Sequence, residues 1–137
     1  MLINLKNSQT GLAIVDVNNL EEILKVKLPN DLVSFYLAQN GGDLEENEPN
    51  SLLLSGFIPI KYGKIPVELA YEELISDFPH LSGKIPFAFD EGGNYFLLET
   101  VGPDKGKIEL WIMDTEELLS VAESFLEFLE AGTLMDF

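Results

Sequence analysis

The run from residue 28 to residue 42, LPNDLVSFYLAQNGG, most strongly limits what this 137-residue chain can fold into. Pro29 suits a helix start, because its missing N–H needs no partner there and its fixed φ already fits a helix. The apolar residues within 32–37 recur at helical spacing and predict one buried face. Gly41 and Gly42 indicate a stop, since glycine adopts the left-handed conformation. The run therefore predicts a helix with both ends marked, and a positive φ at one of the two glycines.

Two later stretches follow this run in order, IPFAFDEGGNYF at residues 85–96 and GKIELW at residues 106–111. Together the three stretches resemble the SUKH superfamily. These small domains are named for yeast cell-wall assembly regulators and are shared with many bacterial immunity proteins. The resemblance extends from about residue 20 to the C-terminus. It implies an α+β domain that binds a partner protein and, in bacterial members, neutralises a cognate toxin, often a nuclease. It assigns no toxin-binding residue.

Charge is the strongest feature of the composition. The chain has 24 acidic and 8 basic residues, all of the latter lysines, for a formal net charge of −16. Such a chain repels phosphate backbones and lacks the arginine that most often clamps phosphates and reads bases. We therefore expect binding to neither nucleic acid nor anionic membranes. An opposite field would speed the approach of a basic protein partner, although acidity can also serve solubility alone.

The residues offer little material for catalysis or metal binding. With no cysteine and one histidine, a transition-metal site is not expected. His80 follows a proline in a predicted loop and has no neighbouring nucleophile motif, so we interpret it as a surface residue. We expect no cofactor, no metal and no enzymatic activity. The absence of cysteine suits a reducing cytosol, and no signal peptide or membrane span is apparent, so the expected location is cytoplasmic.

The order of predicted elements indicates one α+β domain over residues 1–137, with an antiparallel meander and helices packed on one side of the sheet. Residues 1–10 are expected to be loose or an edge strand. The expected elements are a strand-like segment at 11–17, a helix capped by Asn18, the helix after Pro29, one or two strands within 51–60, a helix after Pro66, a hairpin of 85–90 and 94–100, a strand at 107–113, and a last helix capped by Asp114 or Thr115.

The expected partner surface is an acidic loop together with the hairpin turn, because loops on a rigid scaffold often carry binding function. Its residues are Asp43, Glu45, Glu46, Glu48, Asp90 and Glu91, with Tyr95 or Trp111 as an apolar anchor. A covered Trp111 is the alternative for that residue. A rival surface is an acidic face of the last helix, formed by Glu116, Glu123, Glu127 and Glu130, which are spaced for one face.

These observations favour a non-enzymatic protein-binding domain, interpreted as an immunity protein that occludes a cognate toxin of basic, nuclease-type character. The alternative is a regulatory or scaffold domain of the same superfamily. The oligomeric state, the toxin and the subfamily stay open.

Overall fold

A computed structural model of the chain describes residues 5–44 and 52–131. It contains four α-helices and six strands within these ranges. In chain order the elements are α1 (Ile14–Leu24), α2 (Asn30–Ala38), β1 (Gly42–Asp43), β2 (Leu54–Phe57), α3 (Val67–Asp77), a 3-10 helix (Pro79–Leu81), β3 (Lys84–Asp90), β4 (Tyr95–Glu99), β5 (Ile108–Ile112), β6 (Glu117–Ala122) and α4 (Phe125–Ala131). No helix among them is both long and apolar enough to traverse a bilayer.

The six strands form one antiparallel sheet in which each strand pairs with the next in sequence. The α+β class and the antiparallel meander are therefore confirmed. The hairpin of β3 and β4 lies where it was expected, and Pro59 follows the end of β2, as its missing N–H requires. Upstream of α1, Lys6 and Gln9 form isolated bridges to Asp43 and Asn40. The N-terminal segment thus lies along the β1 side of the sheet.

The start of α1 differs from the prediction. Residues 11–17 were expected to be strand-like and Asn18 was expected to cap the helix, but α1 begins at Ile14. The Asp16 carboxylate accepts a hydrogen bond from the Ala13 N–H at 2.9 Å and one from the Lys61 ammonium at 2.8 Å. These contacts fix the first turn five residues early, so local capping outweighs the β-branched content of the segment.

Helix α2 agrees with the prediction, with Pro29 at its N-cap and Asn30 as its first residue. Gly41 and Gly42 have φ values of 71° and 126°, so the expected positive φ is confirmed. The positive φ values do not close the helix itself, although the sequence indicated that they would. The helix ends at Ala38 and is followed by an extended Gln39. The two glycines therefore turn the chain from the end of α2 into β1.

The prediction for the C-terminal segment is wrong. Asp114 and Thr115 lie in a turn rather than at a helix start, and the following residues form β6 against β5. The turn contains Glu116 at a φ of 56°. Helix α4 begins only at Phe125, where the Ser124 hydroxyl oxygen accepts the Glu127 N–H at 3.1 Å. Without β6, the outer backbone groups of β5 would lack sheet partners.

The sheet is covered on both faces. One face carries a cluster of aromatic rings in which Phe128 of α4 lies 5.0 Å from Phe96 and 5.3 Å from Phe87, measured between ring centroids. Since side chains alternate along a strand, Leu97 points to the opposite face. There it packs with Trp111 and with residues of α3 and the 3-10 helix, Leu74 and Leu81. The helices were expected on one side of the sheet. In the structure α4 covers one face, and α3 with the 3-10 helix covers the other.

Asn40 joins three segments of the fold. Its Nδ2 group donates to the Thr10 carbonyl at 2.9 Å and to the Ile60 carbonyl at 3.0 Å. Its Oδ1 atom accepts the Ile60 N–H at 2.8 Å. The side chain is 2% exposed, so water cannot replace these bonds. Asn40 therefore ties the exit of α2 to the N-terminal segment and to the chain that follows β2.

We expect Asn40→Ala to lower the free energy of unfolding by about 3 kcal/mol, since it removes three hydrogen bonds worth about 1 kcal/mol each and leaves the buried Ile60 N–H without a partner. Urea unfolding followed by circular dichroism measures the change. Asn19→Ala is the matched control, because Asn19 is exposed on α1. A loss below about 1 kcal/mol for Asn40→Ala would show that the bonds stabilise little.

Candidate functional site

The strand register places several predicted site residues in one row across the sheet. Asp43 pairs with Gly56, Gly56 with Phe89, Phe89 with Tyr95, and Tyr95 with Trp111. Cross-strand partners point to the same face. Asp43 and Tyr95 are therefore about 14 Å apart, at roughly 4.8 Å per strand.

Gly56 gives this row its shape. A Cβ atom there would lie 2.7 Å from Cζ of Phe89 and 3.1 Å from Oδ1 of Asp43. The missing side chain at Gly56 makes room for the ring of Phe89, whose strand lies between those of Gly56 and Tyr95. Phe89 was not among the predicted site residues. A glycine within an apolar strand was the available signal, because it often marks a close approach of another group.

An apolar groove of about 330 Å³ lies beside the hairpin. Tyr95 and Phe89 form its sheet side, and Ala70 of α3 lies across from them, with the remaining walls from Ile58, Pro59, Ile65 and Gly93. We call it the hairpin groove. Ile65 is 49% exposed, so an apolar side chain already faces solvent there. The sequence predicted Tyr95 as an anchor, but not the residues that complete the groove with it.

Tyr95 is half-buried in the groove wall. Burial raises the pKa of its hydroxyl, and the negative charge of Glu73 on α3 raises the pKa further. The phenol therefore stays protonated at neutral pH and can donate a hydrogen bond to a partner. A carboxylate lies close enough to add negative potential at this side of the groove.

The two carboxylates of the hairpin turn have different surroundings. The Asp90 carboxylate accepts hydrogen bonds from the N–H groups of Gly92 at 2.9 Å and Asn94 at 2.8 Å, and from Asn94 Nδ2 at 3.1 Å. It shapes the turn while keeping its charge at the surface. The Glu91 side chain is exposed, and it is the one of the two that is free to meet a partner.

Asp43 marks where the acidic loop joins the sheet. It exchanges two backbone hydrogen bonds with Lys6, at 2.7 and 2.8 Å, and its Oδ2 atom accepts one from Asn7 Nδ2 at 3.0 Å. The other loop carboxylates of the predicted surface, Glu45, Glu46 and Glu48, lie outside the described residues.

Trp111 does not provide an exposed anchor. It is 1% exposed, and its ring lies 5.0 Å from Phe78 and 5.7 Å from His80 between centroids. The segment from the end of α3 through the 3-10 helix covers it, and this is the alternative that the sequence left open. Its Nε1 atom has no hydrogen-bond partner among the described residues. His80 itself is exposed, as expected.

The rival acidic face on the last helix does not form as predicted. Glu116 belongs to the β5–β6 turn, and Glu123 precedes α4 and lies 3.8 Å from the Lys107 ammonium. Only Glu127 and Glu130 lie on α4. The four carboxylates are therefore divided among a turn, the residue run before α4, and α4 itself. They do not form one acidic helix face.

At the other end of the same sheet face, a lysine partly offsets two carboxylates. The Lys84 ammonium lies 2.8 Å from Glu99 and also pairs with Glu109. Burial lowers the pKa of Lys84, but its hydrogen bonds to the two carboxylates outweigh burial and raise it overall. Lys84 therefore stays charged and offsets one of the two carboxylate charges.

Comparison with known families identifies the fold. The sequence model of the SMI1 / KNR4 family (SUKH-1) matches residues 11–131. The chain belongs to this family. The suspected SUKH resemblance is therefore confirmed over most of the chain. No curated protein sequence matches it. SUKH-1 domains are protein-interaction domains and are generally non-catalytic.

Within residues 5–44 and 52–131 of this SUKH-1 domain, no group of three or more His, Cys, Asp or Glu side chains could hold a metal ion. That neither a metal nor a cofactor is used stays a prediction. The geometry offers an apolar groove with the negative charge of Glu73 near Tyr95, which suits recognition of a protein surface with apolar and basic side chains.

Proposed function

We propose that this SUKH-1 domain is an immunity protein that binds a basic toxin domain and neutralises it by occlusion. The observation that carries the proposal is the family match over residues 11–131. The formal net charge of −16 supports it, because nucleases that grip phosphate backbones tend to be basic and an acidic inhibitor presents the complementary field. The domain itself performs no chemistry in this mechanism and blocks access to the toxin.

The hairpin groove and the acidic loop form the proposed contact surface. The groove accepts an apolar side chain of the partner between Tyr95 and Ile65. Glu91 in the hairpin turn and Asp43 on β1, about 14 Å from Tyr95, attract cations on the surface around it. A standard interface covers about 800 Å² on each partner. The groove is too small to supply that area, so the acidic loop at Glu45, Glu46 and Glu48 contributes as well.

The reading frames beside the gene provide the direct test. Each is expressed alone in a bacterial host, and then together with this chain. We expect one product to arrest growth, co-expression to restore growth, and the two purified proteins to co-elute. If no neighbouring product is toxic and the chain instead co-purifies with several endogenous regulators, the regulatory alternative replaces the immunity proposal.

Charge reversal tests the proposed surface. We expect Glu45→Lys/Glu46→Lys/Glu48→Lys to slow association with the toxin at low salt, with a smaller effect at high ionic strength, because exposed charges are screened beyond about 10 Å at 0.1 M. Stopped-flow fluorescence measures the rate, and thermal unfolding should change little.

The matched control is Glu123→Lys/Glu127→Lys/Glu130→Lys, which makes the same change in net charge at and before α4. Slowed association in the α4 variant with an unchanged rate in the loop variant would move the interface to α4. Equal rates in both variants and the unmodified chain would assign the negative charge to solubility.

A further inference from the structure

A second apolar groove runs between α1 and α3, on the other side of α3 from the hairpin groove. Its volume is about 590 Å³, larger than the hairpin groove. Ile23 and Leu24 of α1 form one wall, and Leu69 and Ile75 of α3 form the other. Ile23 is 65% exposed and Leu69 is 37% exposed. Two helices thus present apolar side chains to solvent across a shared channel, which we call the α1–α3 groove.

The exposed side of α3 is strongly acidic. The helix carries four carboxylates and no lysine or arginine. The N–H of Lys61 donates to Glu68 at 3.0 Å. Glu72, Glu73 and Asp77 form no ion pair with a lysine in the described part of the chain, which includes all eight lysines. Like charges four residues apart destabilise a helix, so α3 keeps an uncompensated negative charge beside the groove.

The four lysines nearest the groove in sequence do not cancel this charge. Lys25 and Lys27 lie beyond the end of α1, and Lys27 is 3.6 Å from Glu21. The Lys61 ammonium is held by Asp16, and Lys64 precedes α3. None of these four lysines lines the groove. An occupant of the groove therefore meets apolar walls and two carboxylates, Glu68 and Glu72.

We infer that the α1–α3 groove binds an amphipathic helix of the partner protein, with apolar side chains on Ile23 and Leu69 and with lysines or arginines on the α3 carboxylates. This inference rests on the proposed function, because it assumes a basic protein partner. A groove between two helices suits the helix-in-groove mode of recognition. A second copy of this chain fits poorly, since two chains of charge −16 repel each other.

The two grooves share α3 as a common wall. Ala70 faces the hairpin groove, whereas Leu69 and Glu72 face the α1–α3 groove. A partner that spans α3 therefore contacts both. Such a footprint provides apolar contacts on either side of a charged ridge, and it extends the contact toward the standard size of about 800 Å².

A defined peptide tests this groove without the toxin. The probe is a fluorescein-labelled 18-residue helix with leucines on one face and lysines on the other, and fluorescence anisotropy reports its affinity. We expect binding by the unmodified chain, and at least about tenfold weaker binding when the leucines are replaced by serine or the lysines by glutamate. Amide NMR shifts should map the contact to α1 and α3.

Two variants locate the binding. Ile23→Asp/Leu69→Asp should weaken the affinity at least about tenfold. Leu119→Asp/Leu126→Asp is the matched control, since these leucines are also exposed and lie on β6 and α4. It makes the same charge change and should leave the affinity unaltered. If circular dichroism shows that the groove variant is unfolded, Leu69→Gln replaces it and should weaken binding in the same direction.

Equal affinity of the unmodified chain and the folded groove variant would overturn the inference, as would NMR shifts outside α1 and α3 or a dimer that buries Ile23. Failure here is distinguishable from failure of the immunity proposal. A chain that rescues growth but does not bind the peptide refutes the groove alone. A chain that binds the peptide in the groove but rescues no toxic neighbour refutes the immunity role alone.

Discussion

Phe128→Ala is expected to lower the free energy of unfolding by about 3–5 kcal/mol, the usual cost of removing a buried ring and leaving a cavity. Phe128 is 0% exposed. Its ring lies 5.0 Å from Phe96, 5.3 Å from Phe87 and 6.2 Å from Phe125 between centroids. The total free energy of unfolding of a small domain is about 5–15 kcal/mol, so this one substitution removes a large share of it. Urea unfolding followed by far-ultraviolet circular dichroism measures it.

Leu126→Ala is the matched control, because Leu126 lies on the same helix but is 45% exposed. Its loss should stay below about 1 kcal/mol, as for most surface substitutions. Similar losses for the two variants would show that α4 contributes to stability as a helix, without special dependence on the aromatic cluster.

Gly41→Val is expected to destabilise the domain by well over 1 kcal/mol, because two costs add. A β-branched residue resists the φ of 71°. A Cβ atom at Gly41 would also lie 2.7 Å from the Pro59 nitrogen and 2.9 Å from the Phe57 carbonyl oxygen, both backbone atoms that cannot rotate away. Thermal unfolding and urea titration measure the combined loss.

Gly93→Val separates the two costs. Gly93 has a similar φ of 84°, but a Cβ atom there would meet nothing within 4 Å. The free energy of unfolding lost in Gly93→Val should therefore reflect backbone conformation alone, and should be about 1 kcal/mol or somewhat more. If both valine variants lose the same free energy of unfolding, the backbone near Pro59 moves aside without cost and the predicted steric penalty at Gly41 is wrong.

Local signals predicted the elements whose boundaries the chain marks itself. Helix α2 begins after Pro29, α3 follows Pro66, and the β3–β4 hairpin surrounds Gly92 and Gly93. The segment 117–122 lacks such marks. Its residues, ELLSVA, include good helix formers after an acidic turn, and only pairing with β5 makes it a strand. That pairing depends on hydrogen bonds to a second strand and not on the residues of the segment alone, so intrinsic propensity could not reveal it.

The candidate site was predictable in part. Tyr95 lines the hairpin groove and Glu91 lies in the turn beside it, because both belong to one hairpin, which the sequence marks clearly. Phe89 and Ile65 complete the groove through strand register and the packing of α3, and neither follows from local spacing. The burial of Trp111 under the 3-10 helix is likewise a tertiary effect. The division of the acidic residues near α4 follows from the misassigned strand.

The hydrogen bonds of Asn40 also separate the core of this domain from its recognition surface. Asn40 lies beside Gly41 in one of the stretches that carry the family resemblance, and it is buried together with Tyr36 and Phe35 from the same stretch. These three residues are therefore inside the scaffold, beyond the reach of any partner. The exposed carboxylates of α3 and of the hairpin turn have no comparable role in the core. Substitutions at those exposed positions can therefore change what the surface recognises while the packing around Asn40 is retained.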